Sequence, residues 1–176
     1  INESEVKKAV QRIKKAKTSK EKVIVYGDYD ADGICATAVL WECLYTLGLN
    51  VLPYIPERFS EGYGLNIESI RKLKEESSDL GLIITVDHGI VADKKVDVAK
   101  ELGIDVIITD HHEPGKVRPK ALATIHTLKI GGAGVAWILA RELEKSVNDK
   151  QSIINRSLEL VAIGTIADQI PLLGPN

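Results

Sequence analysis

Three short stretches of this 176-residue sequence crowd together side chains that bind hard cations: Asp28, Asp30 and Asp32; Asp87 beside His88; and Asp110, His111 and His112. Carboxylates brought close to one another resist ionising together unless positive charge neutralises them. Oxygen ligands joined by one or two imidazoles suit Mn²⁺ or Mg²⁺ better than a thiolate-seeking metal. A divalent-metal site is the least strained explanation. Two of the stretches also have other readings. Residues 28–33 fit the first half of a calcium loop of the EF-hand kind, but the twelfth position is Val39, where a bidentate Glu is needed. A phosphotransferase with a strand-end aspartate nucleophile also begins Asp-x-Asp, yet prefers Thr or Val at the place of Asp32. A lone Asp-His-His could be turn chemistry with a satisfied histidine.

The elements that must position these residues follow from hydrophobic pattern. Val6, Val10 and Ile13 recur at helical spacing after Asn2, and Glu5 stands where a capping box would place it. Apolar runs at 23–26, 51–55, 82–86, 106–109 and 121–125 read as strands, with helices between them at 34–47, 67–76 and 93–102. Gly48 and Gly103 stop two of those helices. A glycine-rich turn at 131–134 and helices at 135–146 and 153–167 complete the chain. The alternation predicts an α/β fold, a doubly wound, mostly parallel sheet with helices on both faces, Rossmann-like in character. Pro53 pushes its strand to the sheet edge. In such a sheet ligands bind outside the carboxyl ends of the strands, so the three acidic stretches should converge on one crevice.

Composition narrows the classes. The length suits one compact domain over residues 1–176, and no apolar run is long enough to span a bilayer, so a cytoplasmic protein with no membrane partner is expected. The net charge of -2 excludes a globally basic nucleic-acid surface. The first 22 residues are locally basic, with eight Lys or Arg against Glu3, Glu5 and Glu21, a pattern of a solvated helix face or of contacts to a phosphate backbone. Cys35 and Cys43 fall in one helix about 12 Å apart along its axis, beyond disulfide reach, and read as reduced packing groups. Absence of any methionine suggests a fragment of a longer chain.

Four ordered motifs then resemble the DHH phosphoesterases, and among them the RecJ-like single-strand exonucleases. They are Gly27-Asp-Tyr-Asp-Ala-Asp-Gly33, Thr85-Val-Asp-His-Gly-Ile90, Thr109-Asp-His-His-Glu-Pro114 and Gly164-Thr-Ile-Ala-Asp-Gln-Ile-Pro-Leu172. Residues 55–65 and 132–136 are similar to RecJ sequences in particular. The resemblance implies two divalent cations, Mn²⁺ or Mg²⁺: Asp30 and Asp87 on one, Asp32, Asp87, His111 and Asp168 on the other, and Asp87 bridging. It further implies that His112 faces the scissile phosphate and that Asp110 orients a histidine. Many members carry a metal-binding histidine where this chain has Tyr26, so Asp28 or water would complete the first ion's shell. Residues 126–130 form a shorter loop than the family's and lack its Asn-Pro.

Arg58 is a candidate phosphate clamp because its fork matches phosphate geometry, with a surface ion pair as the alternative; Gly132 and Gly134 could present amides to an anion or serve helix packing. The implied function is 5′-3′ exonucleolytic hydrolysis of single-stranded nucleic acid, DNA favoured, with a second domain expected beyond Asn176. Two alternatives compete. One is a related phosphodiesterase acting on oligonucleotides, cyclic dinucleotides or pyrophosphate. The other is a non-catalytic DNA-binding scaffold, a class that typically loses the metal ligands retained here.

Overall fold

The structure, a computed structural model, describes residues 1–147 and 157–176. Five apolar runs form strands: β1 Lys22–Tyr26, β2 Val51–Tyr54, β3 Leu80–Val86, β4 Asp105–Asp110 and β5 Ala123–His126. They pair in parallel throughout, in the order β2-β1-β3-β4-β5. The helices are α1 Glu3–Thr18, α2 Ala31–Thr46, α3 Ile67–Glu76, α4 Asp93–Glu101, α5 Gly132–Val147 and α6 Leu158–Ala167. Residues 153–156 of the last expected helix lie outside the described residues.

Successive strand residues face opposite sides of a sheet, and that alternation divides the core in two. Val23, Val25, Leu82, Ile84 and Ile107 point to the layer of α1, α2 and α5. Ile24, Tyr26, Ile83, Val106 and Ile108 point to α3 and α4. Within α2, Ala36, Val39, Leu40, Cys43 and Leu44 recur at helical spacing and are all buried against the sheet and α5. Emptying one such place, as in Leu40→Ala, costs roughly 2–5 kcal/mol. Neither cysteine is in a disulfide; both are buried as packing groups, and the Cys43 thiol donates to the Ala140 carbonyl at 3.7 Å. Helix α6 packs on α2 and α5. Among the described residues no helix is long and apolar enough to cross a membrane.

From β1 the chain moves outward to β2, then returns across to β3 on the other side. The strand order therefore reverses between β1 and β3, and the two connections leave the carboxyl ends of these neighbours in opposite directions. A crevice opens there, the place where doubly wound sheets bind ligands.

Several local expectations are refined. Strand β2 is the edge, and Pro53, paired in register with Val25, needs no amide on its open side. Helix α2 begins at Ala31, earlier than 34, because the Asp30 side chain accepts a hydrogen bond from the Gly33 amide at 2.9 Å and caps it. Residues 132–134 are likewise the first turn of α5 rather than a turn before it. The expected capping box at α1 is half formed. Asn2 accepts from the Ser4 amide at 2.9 Å, but Glu5 accepts from the Thr124 amide at 2.9 Å and so ties α1 to β5. Arg12 leaves the basic helix face altogether: it donates to Asp105 at 2.6 Å, to Glu21 at 2.5 Å and to the Gly81 carbonyl at 2.9 Å.

Candidate metal centre

The turn after β1 supplies Asp28 and Asp30, and the first turn of α2 supplies Asp32. Asp28 is almost fully buried and accepts from the Tyr29 amide at 2.8 Å. Asp32 stands in the first turn of α2, facing the start of α5, where the amides of Gly132 and Ala133 donate to its two carboxylate oxygens at 2.6 and 2.9 Å. A helix N-terminus favours an anion at that point. Asp87 follows β3 with a φ of 66°, a left-handed backbone rare outside glycine, and its amide donates to the Thr109 carbonyl at 3.0 Å. Asp168 is the C-cap of α6.

These elements converge on the His111 ring. Its Nε2 lies 3.0 Å from Asp87 Oδ1, 3.6 Å from Asp168 Oδ2 and 3.7 Å from Asp32 Oδ2. Despite that closeness, His111 Nε2 and Asp87 Oδ1 are buried without a well-formed hydrogen bond. Buried polar atoms are nearly always partnered, and two that face each other unpartnered among further carboxylates fit a shared cation. Three groups can close around an ion, with ligand atoms within 4.8 Å of one another: Asp28, Asp30 and Asp87; Asp32, His111 and Asp168; and Asp87, His111 and His112. Asp87 belongs to two of them. Among the described residues no lysine or arginine pairs with these carboxylates.

Glycine makes the approach possible. A Cβ on Gly132 would fall 2.2 Å from Asp87 Oδ1, one on Gly164 2.3 Å from Asp32 Oδ1, and one on Gly131 2.9 Å from Asp32 Oδ2. Side chains at these places would displace the carboxylates.

The electrostatics separate the site into two parts. Burial pushes Asp87 up to about 7, with the neighbouring Asp32 and Asp30 adding to the rise and His111 opposing it. Burial also raises Asp28 and Asp32. Asp110 behaves in the opposite way. Burial alone would raise it, but the His112 ring at 2.8 Å and the amides of His112, Ile90 and His111 at 3.0, 2.8 and 2.6 Å hold it down at about 2. The same carboxylate lifts His112, a partly exposed ring, to about 9, which favours its cationic form at neutral pH in the absence of metal. His88, although next to Asp87, turns inward. It is buried against Tyr26 and Tyr63, its Nε2 is 3.0 Å from the Tyr26 carbonyl, and burial lowers it to about 4.

The sequence profile described as "DHH family, N-terminal domain" matches residues 22–165. This chain belongs to the DHH family. It is 47% identical, over 97% of its length, to the single-stranded-DNA-specific exonuclease RecJ of Bacillus subtilis strain 168, and spans 22% of that relative. A crystal structure of exonuclease RecJ bound to manganese superposes with a TM-score of 0.86 at 38% identity, covering 96% of this chain and 44% of the other. RecJ of Thermus thermophilus in complex with Mn²⁺ gives a TM-score of 0.82 at 34% identity, over 97% of this chain and 25% of the other. The same protein with Mg²⁺ gives 0.60 at 28% identity, over 97% and 21%.

In this DHH-family chain the fold brings together Asp28, Asp30, Asp32, Asp87, Asp110, His111, His112 and Asp168. Tyr26, where the resemblance left the first ion's shell to Asp28 or water, is fully buried in the α3 and α4 layer, and its ring packs on Tyr54. Arg58 is on the loop after β2, its guanidinium 5.3 Å from the centre of the Tyr29 ring and so beside the first acidic turn. Gly132 directs its amide to Asp32, whereas Gly134 lies against the Ile130 side chain, away from the carboxylates. Two contributors were not singled out by sequence pattern. The Tyr63 hydroxyl is 3.4 Å from the Asp87 carbonyl and 3.4 Å from His112 Nε2. Gly164 makes room for Asp32, a role that its place at the start of the fourth motif did not reveal.

Proposed function

We propose that this chain is the metal-binding catalytic domain of a RecJ-like exonuclease that hydrolyses single-stranded DNA from its 5′ end. The observation that carries the reading is the approach of the buried His111 Nε2 and Asp87 Oδ1, 3.0 Å apart without a well-formed hydrogen bond and ringed by Asp32 and Asp168. Asp30, Asp87 and Asp28 would hold one divalent cation, Mn²⁺ or Mg²⁺, and Asp32, Asp87, His111 and Asp168 a second, with Asp87 shared. When bound, such a pair lowers the pKa of water and neutralises charge on a phosphoryl group undergoing in-line displacement.

The chain's own residues do the rest. Asp110 fixes the His112 ring and keeps it protonated, and His112 donates a hydrogen bond to a phosphoryl oxygen as negative charge builds there. Arg58, exposed on the loop beside Tyr29, contacts a backbone phosphate of the strand. Residues 1–176 are one domain in this reading. A further domain closes the cleft and grips the strand, in keeping with the 22% of the Bacillus relative that the chain spans. A DNA-binding scaffold without activity is disfavoured because every expected ligand is present and convergent.

The test uses strands labelled at the 5′ or the 3′ end, with the full-length protein and Mn²⁺. Release of mononucleotide from the 5′ label first, abolished by Asp87→Ala and by chelation, is expected. Release that persists in Asp87→Ala would refute the assignment of the centre, and release from the 3′ label first would refute the polarity.

A further inference from the structure

The loop over residues 55–65 leaves the edge strand β2, carries the exposed Arg58 and Phe59 at its outer bend and Tyr63 at its inner end, and leads into α3. A loop on an open sheet edge needs tethers if it is to present side chains at a fixed height. Most of those found here run to one residue. The Glu61 carboxylate accepts hydrogen bonds from the Tyr54 hydroxyl, the last residue of β2, and from the Ser69 hydroxyl in α3, both on Oε1. Its Oε2 accepts from the Glu57 amide at 2.7 Å, next to Arg58. The backbone joins in: the Glu61 amide donates to the Glu57 carbonyl at 2.9 Å, and Asn66 Nδ2 donates to the Glu61 carbonyl at 2.9 Å. Asn66 also caps α3 through the amides of Glu68 and Ser69.

An ionised carboxylate is the one common side chain that takes three donors and offers none, so this arrangement selects Glu. Burial would raise its pKa, but the bonds from Ser69, Tyr54 and the Glu57 amide hold it below the ordinary value. The fully buried Tyr26 hydroxyl faces the same group, beside Ser69, with no well-formed hydrogen bond to a described residue. Tyr26 ends β1, two residues before Asp28. Glu61 thus joins the end of β2, the start of α3 and the bend that holds Arg58.

We propose that Glu61 is a positioning residue: its carboxylate fixes residues 57–63 so that Arg58 and Tyr63 meet the incoming strand. The proposal rests on Arg58 as a phosphate contact. Glu61 touches none of the metal ligands, so its removal should weaken substrate capture and spare both metal binding and bond cleavage.

The experiment measures kcat, KM and Mn²⁺ affinity for the full-length protein and its Glu61→Ala, Glu61→Gln, Tyr54→Phe/Ser69→Ala and Arg58→Ala variants on one labelled single strand. A displacement of about 1 Å in a positioning group can lose up to ~100-fold, so Glu61→Ala should raise KM by tenfold or more with kcat and Mn²⁺ affinity unchanged. Glu61→Gln keeps an acceptor for Tyr54 and Ser69 and should recover part of the loss. Tyr54→Phe/Ser69→Ala, which leaves Glu61 itself in place, should reproduce most of it. In an Arg58→Ala background Glu61→Ala should add much less than it does alone. Unchanged KM in both Glu61→Ala and the Tyr54/Ser69 double variant overturns the proposal, as does full additivity with an effective Arg58→Ala. If Arg58→Ala is without effect while Glu61→Ala raises KM, the clamp stands, acting through Tyr63, and the phosphate reading of Arg58 falls.

Discussion

Gly132→Ala adds one methyl group at a residue that supplies no metal ligand, and it should nevertheless damage the metal centre. The new Cβ would lie 2.2 Å from Asp87 Oδ1 and 2.6 Å from Asp87 Cβ and Cγ. Relief to van der Waals separation needs a movement of roughly 1 Å. Asp87 is held by its left-handed backbone and its bond to Thr109, while the start of α5 is held by the Gly132 and Ala133 amides on Asp32. Whichever gives way, one carboxylate of the cluster moves. Overpacking of this kind costs about 1–3 kcal/mol. Alanine in place of glycine within a helix recovers at most ~1 kcal/mol. The net loss of about 1 kcal/mol should lower Tm by about 2–4 °C. Displacing a residue that supports metal ligands typically weakens affinity by ~10–100-fold, which calorimetric titration with Mn²⁺ can resolve. Gly134→Ala is the control. The nearest atoms to its Cβ would belong to the Ile130 side chain, at 3.3 to 3.5 Å, so Mn²⁺ affinity should stay at the wild-type value. Wild-type Mn²⁺ affinity in a folded Gly132→Ala protein would refute the close-approach argument.

Asp87 at about 7 must lose its proton to bind a cation, so apparent Mn²⁺ affinity should fall about tenfold per pH unit below pH 7; a flat profile from pH 5 to 7 would contradict it. For the Asp110–His112 pair without metal, the signs differ by partner. His112 is raised from 6.5 to about 9, so its contribution is complete below 6.5 and is lost as pH rises through 9, whereas Asp110, lowered from 3.8 to about 2, contributes above 3.8 and loses that as pH falls through 2. Asp110→Asn should flatten the alkaline limb of Tm against pH, modestly because His112 is partly exposed. Mn²⁺ at 100 times its Kd should stabilise the protein by ~2.7 kcal/mol, and an unchanged melting curve would count against the centre.

Local pattern revealed most of the sheet because each strand is a short apolar run between turn residues, and the acidic stretches followed three of those runs directly. The edge position of β2 was visible in Pro53, since a missing amide is a property of one residue. What stayed hidden depended on partners distant in sequence. Glu5 stands at the right place for a capping box, yet Thr124 competes for it across 119 positions. Asp30 is a local exception: it has the chemistry of a ligand and of a helix cap, and the Gly33 amide three residues on shows that it caps. Gly132 was readable as an amide donor or as helix packing, but that it approaches Asp87, and Gly164 Asp32, is set by how α5 and α6 pack against the sheet and α2. Tyr63 reaches His112 only because the loop folds back from β2.

Arg12 ties together the segments that open β1, β3 and β4, and the other ends of those same strands deliver Asp28, Asp87 and Asp110. The two rims of the sheet therefore answer to different kinds of selection. A substitution at Arg12 should reduce how much folded protein accumulates while leaving the turnover of each surviving molecule intact. A substitution at Asp87 should leave the amount of protein near normal and remove its turnover. Variants of this chain that lower cellular activity to the same extent can thus be sorted by dividing activity by protein level. Even Arg12→Lys belongs to the first class, because an ammonium on a single stem cannot span the three acceptors that the guanidinium fork reaches at once.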